Sequence, residues 1–313
     1  MSIDGILNVY KPPGSTSFEI VRLVKGLSHQ RKVGHAGTLD PSARGVLPIC
    51  LGQGTKVTEF LAEARKIYRA EVELGVSTDT YDTEGKITHR ADPSGISLKQ
   101  VEEALSSFRG PIEQTPPMYS ALKYRGKRLY ELARAGITVE REKRRTHIFR
   151  LEIVQWSPPF IIMEVECGRG TYIRSLAHDL GQKLGCGAHL RALERLKSGP
   201  FDSKDALTLT QLQEAFKENR WLDLLYTLDF VLMHYKAVIL DEELERKIQH
   251  GQPLKMLWEY PGATYEEKPT SIGDAIEDPY RYRAYSVDGR FLAVLTLNRE
   301  KGLLQPYKLF RKG

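Results

Sequence analysis

The stretch G-H-A-G-T-L-D-P-S-A-R-G-V-L-P, Gly34 to Pro48, decides how the rest of the chain is read. Asp40 followed by Pro41 has the ordinary signature of a helix N-cap with proline at the first helical position. With glycines and prolines flanking it and little periodicity, the segment 34–54 reads as a long ordered loop with a short helix after Asp40-Pro41. His35 in isolation reads as a hydrogen-bonded structural histidine. The glycines do not make a phosphate cradle, because neither G-x-x-x-x-G-K-[ST] nor G-x-G-x-x-G is present. Gly52-Gln53-Gly54 and Gly168-Arg169-Gly170 both lack the third glycine.

On either side the pattern is that of alternating strands and helices. Ile6 to Tyr10 is a short strand broken by Lys11-Pro12-Pro13-Gly14. Thr16 and Glu19 have capping-box spacing, and Ile20, Val21, Leu23 and Val24 supply the apolar face of a helix. From Tyr68 to Leu74, Ala70, Val72 and Leu74 alternate with Glu71 and Glu73, as in a half-buried strand. Ser97 and Gln100 form a second capping box ahead of Leu98, Val101, Leu105 and Phe108. Strands are expected over 146–154 and 160–167, the latter leading into a helix with Ile173, Leu176, Ala177, Leu180 and Leu184 on one face. A helical stretch over Thr210 to Leu228 closes this part. The sum is an α+β domain, 1–234, on a mostly antiparallel mixed sheet. A smaller β-rich domain follows over 235–313, with a helix around Asp241 to His250 and Asp288-Gly289 as a hairpin turn. The Pro-, Gly- and acid-rich segment 258–281 reads as a surface insertion within it.

Composition narrows the function. No apolar run approaches the ~20 residues of a membrane helix, and the N-terminus lacks the features of a signal peptide, so a cytoplasmic location is expected. Cys50, Cys167 and Cys186 form no C-x-x-C pair and leave an odd one over, which fits a reducing compartment. Cys186, His189 and His178 lack the second spaced pair of a zinc site, so no metal is expected. The chain carries a net charge of +6. Between Lys123 and Arg145 there are nine Lys or Arg and three Glu, which equals the excess of the whole chain. Tyr124 and Tyr130 are interleaved with these cations, as where bases stack beside phosphates; a solvated charged loop is the competing reading.

Six motifs then converge. The string G-H-A-G-T-L-D-P-x-A-x-G-V-L-P, together with K-P-P-G-x-T-S from Lys11 and R-K-I-Y-R from Arg65, resembles the TruB family of pseudouridine synthases. So do Q-T-P-P-M-Y-S-A-L-K-Y from Gln114, G-x-G-T-Y-I-R-S-L from Gly168 and L-G-C-G-A-H-L from Leu184. The C-terminal segment is similar to a PUA-type RNA-binding module, from which the 258–281 insertion departs. The resemblance implies isomerisation of uridine to pseudouridine in the T-loop of tRNA, at position 55, with no cofactor. It implies Asp40 as nucleophile, Tyr68 packed on the target base and Arg174 paired with the aspartate. His35, Tyr172 and Leu193 match positions that line the pocket or support the flipped nucleotide. Lys11, Lys56, Lys123, Lys127 and Arg128 are expected to contact RNA, and the 123–145 insertion to clamp its loop.

These residue types suit that chemistry. A carboxylate must be ionised to attack, and Arg174 is expected to lower the Asp40 pKa, with the amides of a helix start pushing the same way. Whether Asp40 attacks the ribose or the base ring stays open. Two other readings stand beside this one: the guide-dependent branch of the same superfamily, and a non-catalytic RNA-binding or RNA-folding protein. A monomer whose partner is the T-arm of tRNA is expected.

Overall fold

The computed structural model describes residues 2–255 and 280–311, together with the backbone of Tyr265 and Glu266. Most of the expected 258–281 insertion therefore lies outside the described residues. The strand Lys66–Leu74 occupies the middle of a nine-stranded sheet. It pairs antiparallel with Phe160–Cys167 on one side and with Ala188–Ser198 on the other. Beyond Phe160–Cys167 come Arg144–Ser157 and Gly110–Gln114; beyond Ala188–Ser198 come Arg44–Leu51 and Gly5–Lys11. Only the short contact of Arg44–Leu51 with Ala188–Ser198 is parallel among these pairings, so the sheet is mixed and mostly antiparallel.

The alternation in the central strand is what packs it. Ala70, Val72 and Leu74 are buried against Ile173, Leu176, Ala177 and Leu180 of the helix Ile173–Leu184. Val101 and Leu105 of the helix Leu98–Ser106 complete that core. Each such Val or Leu contributes about 1.5–3 kcal/mol of burial. At the far edge, Leu7, Val9, Leu47 and Ile49 pack on the helix Ser17–Ser28, through Ile20, Val21 and Val24. Both capping boxes form, at Thr16/Glu19 and at Ser97/Gln100.

Two expectations are corrected. Residues 34–54 are not one loop, and Asp40 caps no helix. Val33–His35 and Arg44–Leu51 are strands, and after Asp40 the chain closes only a turn, Ala43 N–H to Asp40 C=O at 3.1 Å. Only three residues separate Asp40 from the strand, too few for a helical turn to propagate. The strand is hidden in the sequence because Val46 to Leu51 is buried on both faces and so does not alternate. Pro48 looks like a breaker, yet lies in the pairing opposite Asn8, and its carbonyl accepts from Ala36 N–H at 3.1 Å. The second correction concerns Thr210 to Leu228. The helix runs only over Leu209–Lys217; Asn219 turns left-handed (φ 55°), and two 3-10 turns follow at Trp221–Leu224 and Leu228–Leu232.

A second sheet begins at Lys236–Leu240, which lies parallel to Arg281–Ser286. Phe291–Asn298 and Leu303–Leu309 continue it antiparallel, and Gly289 (φ 81°) makes the expected hairpin turn. The helix Glu242–Gln249 is capped by Asp241 and buries Leu244 and Ile248 against this sheet. The two parts share a core in which Phe60 and Val57 meet Tyr235, Val294 and Phe310.

Gly45 marks the tightest backbone crossing beside the Asp40 loop. Its φ is +112°, and a Cβ there would sit 2.3 Å from the Arg195 carbonyl oxygen. Gly45→Ala is expected to destabilise the fold by roughly 3 kcal/mol, from left-handed strain plus overpacking. Urea unfolding of both proteins checks this; an unchanged midpoint would remove the crossing as a constraint.

Candidate active site

The Asp40 loop is strapped to the N-terminal segment. Lys11 is fully buried, and its ammonium donates to the carbonyls of Pro12 (2.9 Å), Ser15 (2.6 Å) and Pro41 (3.1 Å). Gly14 N–H donates to the same Pro41 carbonyl at 2.9 Å. The Ser17 hydroxyl accepts from Leu39 N–H at 2.9 Å and donates to Leu39 C=O at 3.1 Å. Burial lowers the Lys11 pKa to about 8. Lys11, expected to touch RNA, is thus committed to shaping the loop that carries Asp40.

Arg174, on the helix Ile173–Leu184, closes on that loop. It sits in the first turn of its helix, whose N-cap, Tyr172, supplies no side-chain cap. Gln114 serves instead: its Oε1 accepts from Tyr172 N–H at 3.0 Å and its amide donates to Tyr172 C=O at 3.2 Å. The guanidinium then meets both oxygens of Asp40, Nε to Oδ2 at 2.9 Å and Nη2 to Oδ1 at 3.1 Å. Nη1 faces Asp82 Oδ2 at 3.4 Å and the Thr80 carbonyl at 3.3 Å, while Nη2 also donates to the Tyr119 carbonyl at 2.9 Å. One cation therefore stands against two carboxylates. The Arg174 side chain is 6% exposed, whereas Asp40 keeps 38% of its side chain open.

The direction of the Asp40 pKa differs from the expectation. Burial among dense protein raises it, and Asp82 adds to the rise; Arg174 and Lys11 pull the other way without reversing it. The Arg174 charge is divided between two carboxylates, which is why it does not dominate. Both Asp40 oxygens accept hydrogen bonds, as the ionised form does.

Asp40, Arg174 and Leu193 line one cleft, together with Asp82, Ala43 and Leu190. Tyr68, His35 and Tyr172 are not among the residues that line it. Tyr68 and His35 both feel the charge of Arg195, which sequence reasoning passed over. Arg195 is buried opposite Tyr68 in the strand pairing, and donates to the Val46 carbonyl at 2.7 Å and the Gly37 carbonyl at 2.9 Å. Burial raises the Tyr68 pKa, against the charge and hydrogen bond of Arg195. Burial, and then Arg195, lower that of His35, so the imidazole is neutral at pH 7. The Tyr172 pKa is also raised, by burial first. Asp82 was missed as well, because Asp79-Thr80-Tyr81-Asp82 has the composition of any polar turn.

The remaining cations divide. Lys123, Lys127 and Arg128 are exposed on a two-stranded hairpin, Lys123–Tyr124 with Lys127–Arg128, and none is in an ion pair among the described residues. The hairpin runs into buried Leu129, whose N–H donates to the Leu122 carbonyl at 2.8 Å, while Arg141 donates to the Pro116 carbonyl at 3.0 Å. A cleft of about 540 Å³ beside it is lined by Lys123, Tyr124, Arg125, Arg141 and Arg144, with Glu140 and Glu142. Lys56 is placed elsewhere: its ammonium donates to the Leu309 carbonyl at 2.7 Å and to Gln53 at 3.0 Å, tying the two sheets. Among the described residues no helix is long and apolar enough to cross a membrane, and no three His, Cys, Asp or Glu gather as a metal site.

The TruB family pseudouridylate synthase N-terminal domain matches residues 25–173, and the tRNA pseudouridylate synthase B C-terminal domain matches 174–235. The chain is 42% identical to the tRNA pseudouridine synthase B of Dehalococcoides mccartyi over 98% of this chain and 97% of the relative. It is 43% identical to that of Clostridium acetobutylicum over 95% and 97%. The crystal structure of a Cbf5-Nop10-Gar1 complex aligns with a TM-score of 0.73 at 26% identity, over 98% of this chain and 85% of that one. With two matching domains and full-length relatives at this identity, the chain belongs to the TruB family of pseudouridylate synthases.

Proposed function

We propose that the chain isomerises uridine 55 in the T-loop of tRNA to pseudouridine, with Asp40 as the nucleophile. The observation that carries this reading is the Asp40 carboxylate, gripped through both oxygens by buried Arg174 while one edge stays open in a cleft. A planar guanidinium fixes the plane of the carboxylate as well as its charge. Uracil is detached from its ribose, turned, and rejoined through carbon 5, so bonds are exchanged with no net redox change or hydrolysis. Flipping the base out of a folded loop costs a few kcal/mol. Stacking on Tyr68, with His35 at the vacated position, returns about 1–3 kcal/mol per base. Leu193 lines the pocket and Tyr172 supports the flipped nucleotide.

In this reading residues 1–234 carry the chemistry and 235–313 form a PUA-like RNA-binding domain. Lys123, Lys127 and Arg128 grip phosphates of the T-arm. The protein works as a monomer in the cytoplasm. The relatives named for tRNA stand at 42–43% identity, against 26% for the Cbf5 complex, which supports the stand-alone enzyme over a guide-dependent one. Incubation with unmodified tRNA transcript, followed by nucleotide-resolution mapping of pseudouridine, tests it. Product at position 55 without added guide RNA is expected; no product, or product elsewhere, would overturn it.

Asp40→Asn is nearly isosteric and is expected to keep tRNA affinity and abolish product. Appreciable turnover by this variant would remove Asp40 as the nucleophile.

The reaction needs the ionised carboxylate, so its rate falls as pH drops through the Asp40 pKa. Because that pKa is raised, the acid limb of the single-turnover rate is expected above the ordinary aspartate value of 3.8. Asp82→Asn removes a charge that raises it, so the limb should move to lower pH, whatever happens to the plateau. A limb unmoved or displaced upward would contradict the electrostatic reading of Asp82.

Lys127→Ala with Arg128→Ala should weaken tRNA binding at low salt and leave the single-turnover rate at saturating RNA near wild type. Each phosphate that the protein no longer neutralises flattens the plot of log affinity against log salt by roughly 0.7–0.9. Unaltered affinity and slope would mean that the hairpin points into solvent in the complex.

A further inference from the structure

Beside the Arg174 network lies an aromatic pair that the reaction as described does not use. The rings of Tyr81 and His178 stack with centroids 3.9 Å apart and planes 15° from parallel. Tyr81 has a left-handed backbone, with φ at 66°. That conformation is unfavourable for a bulky side chain and must be held by its surroundings. Tyr81 N–H donates to the Thr78 carbonyl at 3.3 Å, its carbonyl accepts from Leu190 N–H at 2.9 Å, and His178 covers the ring.

The residues on either side of Tyr81 are the two that meet Nη1 of Arg174, through the Thr80 carbonyl and the Asp82 carboxylate. His178 lies four residues after Arg174 on the same helix, so the stack and the ion pair are neighbours on one helical face. The Nδ1 atom of His178 is buried with no hydrogen-bond partner. Burial lowers its pKa and keeps the ring neutral at pH 7. This imidazole contributes a packed ring rather than a hydrogen bond at that atom.

The geometry points to a positioning role: the Tyr81–His178 stack locks the left-handed turn at Tyr81 and so fixes the Thr80 carbonyl and the Asp82 carboxylate against Arg174. Through Arg174 the stack sets the plane of the Asp40 carboxylate. Without the ring cover, the turn relaxes toward negative φ and both acceptors swing away from Nη1. This inference rests on the reading of Asp40 as nucleophile and Arg174 as its holder.

Glycine adopts the left-handed turn without help, which supplies the test. In the full-length protein, single-turnover rates on unmodified tRNA transcript are measured alongside tRNA affinity. Tyr81→Ala keeps the backbone penalty and loses the stack, so it should react about tenfold more slowly than Tyr81→Gly, the population shift that penalty is worth. His178→Ala should slow the wild-type background by a similar factor without changing tRNA affinity, and His178→Phe, which keeps a stacked ring, should restore the rate. Added to Tyr81→Gly, His178→Ala should change nothing further. Equal rates for Tyr81→Ala and Tyr81→Gly would overturn the inference even if the His178 variants failed to fold. An equal loss from His178→Ala in both backgrounds, or a loss confined to tRNA affinity, would do the same. Failure of the underlying reading shows separately, as turnover by Asp40→Asn in an otherwise unaltered protein.

Discussion

A buried guanidinium must find partners for its donors, and the satisfaction of Arg174 organises the site. Removing such a charge from water costs several kcal/mol unless it is paired and hydrogen-bonded. Its acceptors come from three separate places in the chain: the Asp40 loop, the Thr80–Asp82 turn, and the Tyr119 carbonyl. No one of these segments has a reason to approach the others by itself. Each is brought in by its own local device: the Lys11 and Ser17 straps for the first, the left-handed Tyr81 for the second, the Ser175 hydroxyl on the Thr115 carbonyl for the third. Loss of Arg174 would leave Asp82, with its side chain 8% exposed, without an ion pair among the described residues.

The same arrangement explains why the Asp40 carboxylate needs no helix start to hold it. A helix start would have offered the carboxylate backbone amides, which favour the charged form and hold it in place. The structure instead commits the backbone of the neighbouring residues to the straps and leaves the carboxylate to a side chain. A guanidinium approaches from one edge only, so the other edge of Asp40 stays available. The raised pKa is the electrostatic counterpart: a carboxylate less well solvated than in water is more basic, and the charges of Arg174 and Lys11 offset this only in part.

Much of the scaffold is legible in the sequence because it obeys simple periodicities. Ala70, Val72 and Leu74 alternate since one face of their strand is buried, and Thr16/Glu19 and Ser97/Gln100 announce helix starts through purely local hydrogen bonds. What stays hidden is non-local. Val46 to Leu51 is buried on both faces and carries a proline, so its strand character shows only when Gly5–Lys11 is seen beside it. The resemblance singles out Asp40, Arg174 and Leu193, and the cleft brings these three together. Lys11 and Lys56 carry the same charge as Lys127, and no local pattern says that the first two are engaged inside the protein. Arg195 and Asp82 are invisible for the opposite reason: a lone Arg in a strand and an Asp in a polar turn read as surface residues until the fold buries them.

One short segment joins the two halves of the functional surface. Residues 115–120 supply the Tyr119 carbonyl to Arg174 and the Thr115 carbonyl to Ser175. The same residues anchor the chain that follows the basic hairpin, through Tyr130 N–H on the Ser120 carbonyl at 3.1 Å, and hold Arg141 through the Pro116 carbonyl. The hairpin itself projects its cations into solvent with little packing beneath them beyond Leu129, as suits a surface that meets phosphates through charge. On the proposed reading, gripping and chemistry are separate in their residues and continuous in their backbone: exposed cations at 123–128 meet the RNA, a buried cation at 174 holds the carboxylate, and the segment 115–120 lies between them.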